Sequence, residues 1–318
     1  MKKIFRIIAV LLSALMLFSL AACGKGDSGY RIAYISRAQS DSFGIWLTNA
    51  IKIEAAKYPN VTVDVFDSQS DSDTEINHIN NAIAAEYDCI IIQPQNGELI
   101  RPYAEKIIEA GIALITTNPK IDGIVGSSMI DADPYAQAKV NCDLAFTIVP
   151  QNAKVVVFKG PEGNFHADER RQAWRREFFD KRPDVTIINE EHADWSKDRA
   201  YELMKEWTAN GETIDAVISM NDDMCVGALY AVESNAQYEN MLAFGVDGTS
   251  EALFFIKEGR MTSTCMQNAN ELAALIMETA YSLITKTETS FEKNIGNPLV
   301  TAENVDEYIE MLKAAGTM

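Results

Sequence analysis

The sequence has no surplus of basic residues. Lys and Arg total 28 against 46 Asp and Glu, a formal net charge of −18. Binding a nucleic acid means neutralising phosphates with clustered cations, so this balance excludes one as a partner. Histidine is scarce. His78, His166 and His192 are the only three, and none forms an H-E-x-x-H pair, so no metal site is read among them. Neither a G-x-x-x-x-G-K-[ST] phosphate loop nor a G-x-S-x-G nucleophile elbow occurs. Five cysteines, 17 glycines and nine prolines are too few for a disulfide scaffold or a collagen-like chain. Cys89 and Cys265 fall in apolar strand-like runs, and Cys142 and Cys225 in helix-like runs. No tight spacing suggests a staple or a zinc knuckle, so all four read as buried free thiols. What is present is apolar material, 47% of 318 residues. That is too much for a disordered chain, and enough for two domains, since single cores stop growing near ~250–300 residues.

The first residues read as an address. Lys2, Lys3 and Arg6 precede an apolar run from Ile7 to Leu20, too short for a bilayer span of about 20 residues and of signal-peptide length. The run ends in Leu20-Ala21-Ala22-Cys23-Gly24, which looks like a bacterial lipobox. Residues 1–22 are therefore expected to be a cleaved signal peptide, and Cys23 a lipidated new N-terminus. The alternative is an uncleaved anchor helix, Ile7 to Gly24, without a charge. Both export the chain and hold it on a membrane facing away from the cytoplasm, in a periplasm or on the cell surface. Loss of the three cations takes the net charge from −18 to −21. Residues 23–29 form a short tether. Gly24 to Gly29 also spells G-x-G-x-x-G, but the dinucleotide fingerprint follows a strand and opens a helix, and this one precedes the first strand.

Beyond the tether, strands and helices alternate. Strands are expected at Arg31–Ser36, Val61–Phe66, Cys89–Ile92, Ile112–Thr116 and, briefly, Gly123–Gly126. Helices follow at Phe43–Tyr58, from an Asp73 N-cap to Glu86, and up to Ala110 with Gly111 behind it. The pattern restarts with strands at Val155–Phe158, Val185–Ile188, Ala216–Ser219, Leu242–Val246 and Thr262–Gln267. Helices near 167–181, 197–210, 222–234 and 270–284 accompany them. Alternation of this kind predicts a parallel, doubly wound sheet covered on both faces, and two series predict two such α/β lobes. Right-handed crossovers put the loops after the strands on one rim of each sheet, where open α/β sheets bind ligands.

The residues at that rim are polar and aromatic. Arg37, Asp41 and Phe43 follow the first strand, and Asn118 the Ile112–Thr116 strand. Gly160, Gly163, Asn164, His166 and Arg170 follow Val155–Phe158. Trp195 follows the next strand, Asn221 and Asp222 follow Ala216–Ser219, Asp247 follows Leu242–Val246, and Gln267 ends Thr262–Gln267. Carboxylates and amides suit vicinal hydroxyls, charged partners strengthen each bond, and an aromatic face packs on the C–H face of a sugar. Each residue also has a plainer reading. Phe43 serves as a core residue at a helix start, Trp195 as surface cover, Asp247 as a turn residue before Gly248, and Arg170 as a surface partner of Asp168 or Glu169. Of the pair Asn221-Asp222, the first is expected to face a ligand and the second to cap the helix.

Asp67-Ser68-Gln69, Asn221-Asp222-Asp223-Met224 followed by Gly227-Ala228-Leu229, and Gly245-Val246-Asp247-Gly248 resemble the periplasmic sugar-binding proteins of ABC transporters over roughly residues 30 to 290. The resemblance implies a type I periplasmic binding protein fold: two Rossmann-like lobes of doubly wound parallel sheet, joined by three hinge crossovers and closing on one sugar. Residues 30–130 plus 268–294 are expected to form the N-terminal lobe, and 131–267 plus 295–318 the C-terminal lobe. Carried onto the galactose/glucose branch, the resemblance makes Asp41, Phe43, Asn118, Arg170, Trp195, Asn221 and Asp247 ligand-binding, with Phe43 and Trp195 sandwiching a pyranose.

Four positions depart from that branch. Arg37 stands where it carries Tyr, Asn164 and His166 replace a His and an Asp, and Gln267 is the residue of the ribose branch. Ribose, autoinducer-2, inositol and a uronic acid therefore stay open as ligands. The Phe146–Ala153 stretch lacks the oxygen ligands of the calcium loop found in some relatives. Asp67, Gln69, Asp71 and Asp73 have EF-hand-like spacing, but lack the Gly at the sixth position and have His78 at the twelfth. The expected function is capture and delivery to an ABC permease, without catalysis or cofactor, by a monomer. Docking on a chemoreceptor or sensor is the alternative. A repressor of the same fold does not fit the leader or the charge.

Overall fold

In the computed structural model, residues 29–287 and 290–318 are described. The signal peptide read at 1–22 and the lipidated Cys23 lie outside them. The chain builds two six-stranded sheets. The first contains β1 (Tyr30–Ser36), β2 (Val61–Asp67), β3 (Cys89–Ile92), β4 (Ala113–Thr116) and β5 (Ser128–Ala132), with helices α1 (Ser42–Ala55), α2 (Ser72–Ala84) and α3 (Gly97–Glu109) between strands. After β5 the chain enters α4 (Pro134–Ile148) and the second sheet: β6 (Lys154–Lys159), β7 (Thr186–His192), β8 (Ala216–Ser219), β9 (Leu242–Asp247) and β10 (Ser263–Met266). Its helices are α5 (Phe165–Ala173), α6 (Lys197–Thr208), α7 (Asp222–Val232) and α8 (Ser250–Lys257). The chain then returns through α9 (Ala269–Ile284) and β11 (Glu292–Ile295) to the first sheet. It ends on the second with β12 (Leu299–Thr301) and α10 (Val305–Ala314). Three segments thus pass between the sheets: after β5, after β10 and after β11.

Strand order is β11-β5-β4-β3-β1-β2 in one sheet and β12-β10-β9-β8-β6-β7 in the other. All pairings are parallel except β10 with β12. Parallel strands are covered on both faces, and here alternate side chains show it. Ile32, Tyr34, Cys89 and Ile91 join one core with α1 and α9, while Ala33, Ile35, Ile90 and Ile92 join a second with α2 and α3. A third core, centred on Val155–Phe158, Trp174 and Phe244, fills the second lobe. Cys89, Cys142, Cys225 and Cys265 are free and buried, on β3, α4, α7 and β10. Among the described residues no helix is long and apolar enough to cross a membrane.

Several sequence expectations shift. Gly123 to Gly126 is no strand: Gly123 (φ 79°) and Gly126 (φ 90°) both take left-handed backbone, Val125 is 90% exposed, and the strand lies downstream at β5. The N-cap of α2 is Asp71, not Asp73; its carboxylate accepts from the Thr74 amide at 2.7 Å. The helix expected at 167–181 is α-helical only to Ala173, then widens into a π turn (Trp174–Phe178) and a 3₁₀ turn (Phe179–Lys181). Trp174 packs its buried ring against both Phe178 and Phe244 there. The pattern does not mark α8, β11, β12 or α10, and of α4 it marks only the helix-like run around Cys142.

Ile91 has no exposed surface and sits mid-sheet. Ile91→Ala is expected to lower unfolding free energy by about 2–5 kcal/mol in urea titration, whereas Val125→Ala should change it by less than about 0.5 kcal/mol. Equal effects would place the core elsewhere.

Candidate ligand-binding site

The carboxyl ends of both sheets face one small, polar-lined cavity. Arg37, the seven galactose/glucose-branch positions, Asn164, His166 and Gln267 all line it, with Pro119 beside them, whereas the rim residues Gly160, Gly163 and Asp222 do not.

The first lobe supplies Arg37, Asp41, Phe43 and Asn118. Arg37 and Asp41 are nearly buried and paired, Nη2 to Oδ2 at 2.5 Å. The other Asp41 oxygen accepts the Gly44 amide at 2.8 Å, so the same side chain is the N-cap of α1. That fixes the first turn of the helix and with it Phe43. Gln93, just past β3, accepts from the Tyr34 hydroxyl (3.2 Å) and the Arg37 amide (3.3 Å), and donates to Asn118 Oδ1 at 3.1 Å. Asn118 Nδ2 is buried without a protein partner, which leaves it as a donor at the cavity wall.

The second lobe supplies the rest. Asn164 caps α5 through the Ala167 amide (3.2 Å), and its Nδ2 reaches across to the Gln95 carbonyl at 3.2 Å. His166 Nε2 lies 3.1 Å from Asp131 Oδ2. Asp131 also accepts the Lys120 and Ala132 amides at 2.7 and 2.8 Å. Arg170 donates to Gln137 Oε1 from Nε (3.1 Å) and Nη2 (2.8 Å), to Gln267 Oε1 (3.0 Å) and to the Met220 carbonyl (2.7 Å). Its Nη2 is 3.9 Å from Asp247 Oδ1. Trp195 is held with φ 64°, its ring laid on Gly160, where a Cβ would collide with the indole. Its ring centroid lies 5.7 Å from the Arg170 guanidinium carbon. Asn221 both lines the cavity and caps α7, accepting the Met224 amide at 2.9 Å. Asp222 does not cap its own helix. It turns into the lobe and accepts from the Thr264 hydroxyl (2.7 Å) and the Thr249 amide (2.8 Å).

Burial dominates the electrostatics. It pushes the Asp247 carboxyl well above the usual carboxylate range, with Arg170 opposing and Asp222, Asp41 and Asp223 adding to the rise. Asp222 and Asp223 are raised for the same first reason. Burial also lowers Arg170, against the pull of Asp247. Behind the cavity, Glu75 of α2 is fully buried. Its carboxyl is pushed up to about 8 by burial, against the Gln95 amide it accepts at 3.2 Å and the charge of Arg37.

Sequence reasoning missed Gln93, Asp131 and Gln137. Gln93 stands directly after β3, so the rim rule applied to that strand finds it. Asp131 lies within β5, which was placed too early. Gln137 lies on α4, away from any strand end, and no sequence signal marks it. Among the described residues no group of three or more His, Cys, Asp or Glu side chains is placed to hold a metal.

A family model for the periplasmic binding protein domain matches residues 32–288. The xylitol-binding protein of Mycolicibacterium smegmatis is 25% identical over 303 residues, 92% of this chain and 84% of that one. A solute-binding protein of an ABC transporter from Bacillus halodurans, solved with bound myo-inositol, superposes with a TM-score of 0.82 at 26% identity, covering 89% of this chain and 99% of its own. The Caulobacter myo-inositol binding protein, solved with myo-inositol, superposes at 0.80 with 26% identity, covering 90% and 97%.

Glu75 makes stability depend on pH. Its folded pKa of about 8 lies above the unfolded value near 4.3, so the folded state holds the proton longer. Stability from this group falls as pH rises from about 4 to 8, by up to about 1.4 kcal/mol per unit. Denaturation midpoints followed from pH 5 to 9 should decline, and Glu75→Gln should flatten the decline. An unchanged slope in that variant would assign the dependence to other groups.

Proposed function

The chain belongs to the periplasmic binding protein family, and from that premise we propose that it captures a neutral six-membered polyol ring and hands it to an ABC permease. Its relatives are binding proteins, and its work is binding rather than bond making. One observation carries the reading. The cavity is walled by two buried cation–carboxylate pairs, Arg37–Asp41 and Arg170–Asp247, with Phe43 from one lobe and Trp195 from the other. Each pair is internally balanced, so the site offers charged donors and acceptors without asking for a charged ligand. Vicinal hydroxyls, donor and acceptor at once, match that set. A uronic acid adds an anion that neither pair needs.

Within this class a galactose- or glucose-like pyranose is the first candidate, on the seven positions shared with that branch. A cyclitol is the second, because two solved relatives at 26% identity hold myo-inositol. In this proposal residues 30–130 plus 268–294 and 131–267 plus 295–318 move as two lobes about the three crossovers. The ligand stabilises the closed arrangement because both lobes touch it. Residues 1–22 export the chain, and lipidated Cys23 keeps the monomer on the membrane beside its permease or a sensor.

The test is calorimetry and thermal shift with D-galactose, D-glucose, myo-inositol, D-ribose, autoinducer-2 and D-galacturonate. A binder at 100 times its Kd should add about 2.7 kcal/mol of stability. Asp247→Asn is expected to weaken that binder about 10- to 100-fold, the loss of charge-assisted hydrogen bonds at about 1.5–3 kcal/mol. Trp195→Ala should weaken it about tenfold or more. Tight binding of galacturonate with silence from every neutral ring would overturn the neutral-ligand reading.

A further inference from the structure

Outside the cavity wall the two lobes meet at a second contact. Ser42 is the first residue of α1, in the first lobe, and Asp223 is the second residue of α7, in the second. Asp223 Oδ2 accepts the Ser42 amide at 2.7 Å, and Oδ1 accepts the Ser42 hydroxyl, also at 2.7 Å. Neither residue lines the ligand cavity; both line the adjoining surface cleft with Lys197 and Asp198. The Ser42 amide is one of the orphan donors of a helix start, which need an acceptor from elsewhere. Asp41 answers the Gly44 amide, two residues further in, from within the first lobe. The α1 N-terminus therefore has two carboxylate caps, one of them supplied only when the second lobe is in place. The positive end of the helix dipole adds to the attraction.

We propose that Asp223 is a positioning residue for the ligand site, a cross-lobe cap that closes with the cleft and orients Asp41 and Phe43. Ser42 sits between those two cavity residues in the chain, so a carboxylate gripping both its amide and its hydroxyl fixes where they point. The grip belongs to the closed arrangement. Within its own lobe Asp223 has Lys197 Nζ at 3.8 Å from Oδ1, a longer contact that does not need the first lobe. Asp41, in the first lobe, stands on the other side of the balance, since its charge adds to the rise that burial imposes on the Asp223 and Asp247 carboxyls of the second. The assignment builds on the capture role proposed above, yet its core is measurable without any ligand.

The experiment uses the full chain with donor and acceptor dyes introduced through unnatural amino acids at the exposed positions Glu86 and Glu206, one on each lobe. Single-molecule energy transfer in the absence of sugar reads the closed dwell time. In Asp223→Ala that dwell is expected to shorten at least tenfold, and in Ser42→Ala less, because the amide donor remains. Asp223→Asn, which keeps the shape and one acceptor oxygen, should fall between. The double variant Asp223→Ala/Ser42→Ala should match Asp223→Ala alone. A role confined to the second lobe predicts a lowered melting temperature, unchanged dwell times and additive effects, and that outcome overturns the proposal. With myo-inositol or D-galactose as probe, the loss should appear in the dissociation rate. If neither probe binds, the ligand reading fails while the dwell times still decide the latch.

Discussion

A guanidinium at 3% exposure needs an oxygen for each of its donors, and Arg170 imposes that demand on the second lobe. Four hydrogen bonds answer it: Arg170 donates two to Gln137, one to Gln267 and one to the Met220 carbonyl. Those acceptors come from α4, from the crossover after β10 and from the end of β8, so one side chain ties three separate stretches to α5. Five N–H groups against four bonds leave one donor over, at a residue that lines the cavity. Asp247 stands near with a carboxyl pushed upward by burial, which Arg170 partly offsets. The polar wall is thus held by the chain's own hydrogen bonds, which fix the direction of its dipoles.

The first lobe solves the same problem with helix ends and amides. Asp41 is at once ion-pair partner of Arg37, N-cap of α1 and cavity wall. Gln93 fixes Asn118 by engaging its carbonyl oxygen, so the unpartnered Nδ2 is the end left for the cavity. On the second lobe Asn164 and Asn221 repeat the device, each capping a helix while lining the site. Capping explains why short polar residues recur at this rim. A residue that must satisfy a helix start cannot also swing freely, and ligand-facing atoms on it come pre-oriented.

This double duty also governs what could be read from the sequence. Strand ends were legible because parallel strands are continuous apolar runs, and the polar residues just after them stood out. The rim residues Arg37, Asn118, Asn221, Asp247 and Gln267 are of this kind. Asp131 was not, because Gly123 to Gly126 looked like the end of the strand series and drew attention away from Ser128–Ala132. Two positive-φ glycines around an exposed Val125 mark a turn, but that is visible only once the backbone is known. Gln137 projects from a helix whose polar and apolar positions carry no clean stripe, and its partner Arg170 lies 33 residues away. Of Asn221 and Asp222, the cap and the ligand-facing role were divided between neighbours, whereas Asn221 both caps the helix and lines the cavity and Asp222 turns inward to Thr249 and Thr264.

The cross-lobe contacts also constrain how strong closure can be without a ligand. Asp223 on Ser42 and Asn164 on the Gln95 carbonyl favour the closed form by themselves. Were they unopposed, the empty protein would stay shut and a sugar could not enter. The opposition comes from burial first and like charge second. Burial raises both Asp247 and Asp223 in the second lobe, and Asp41 in the first adds to each, so bringing the lobes together penalises those two ionised carboxylates. Hydroxyl donors placed among them relieve that penalty, because each hydrogen bond favours the charged form. Only a ligand that supplies such donors to both lobes can then tilt the balance, since a ligand with equal affinity for the open and closed states shifts neither.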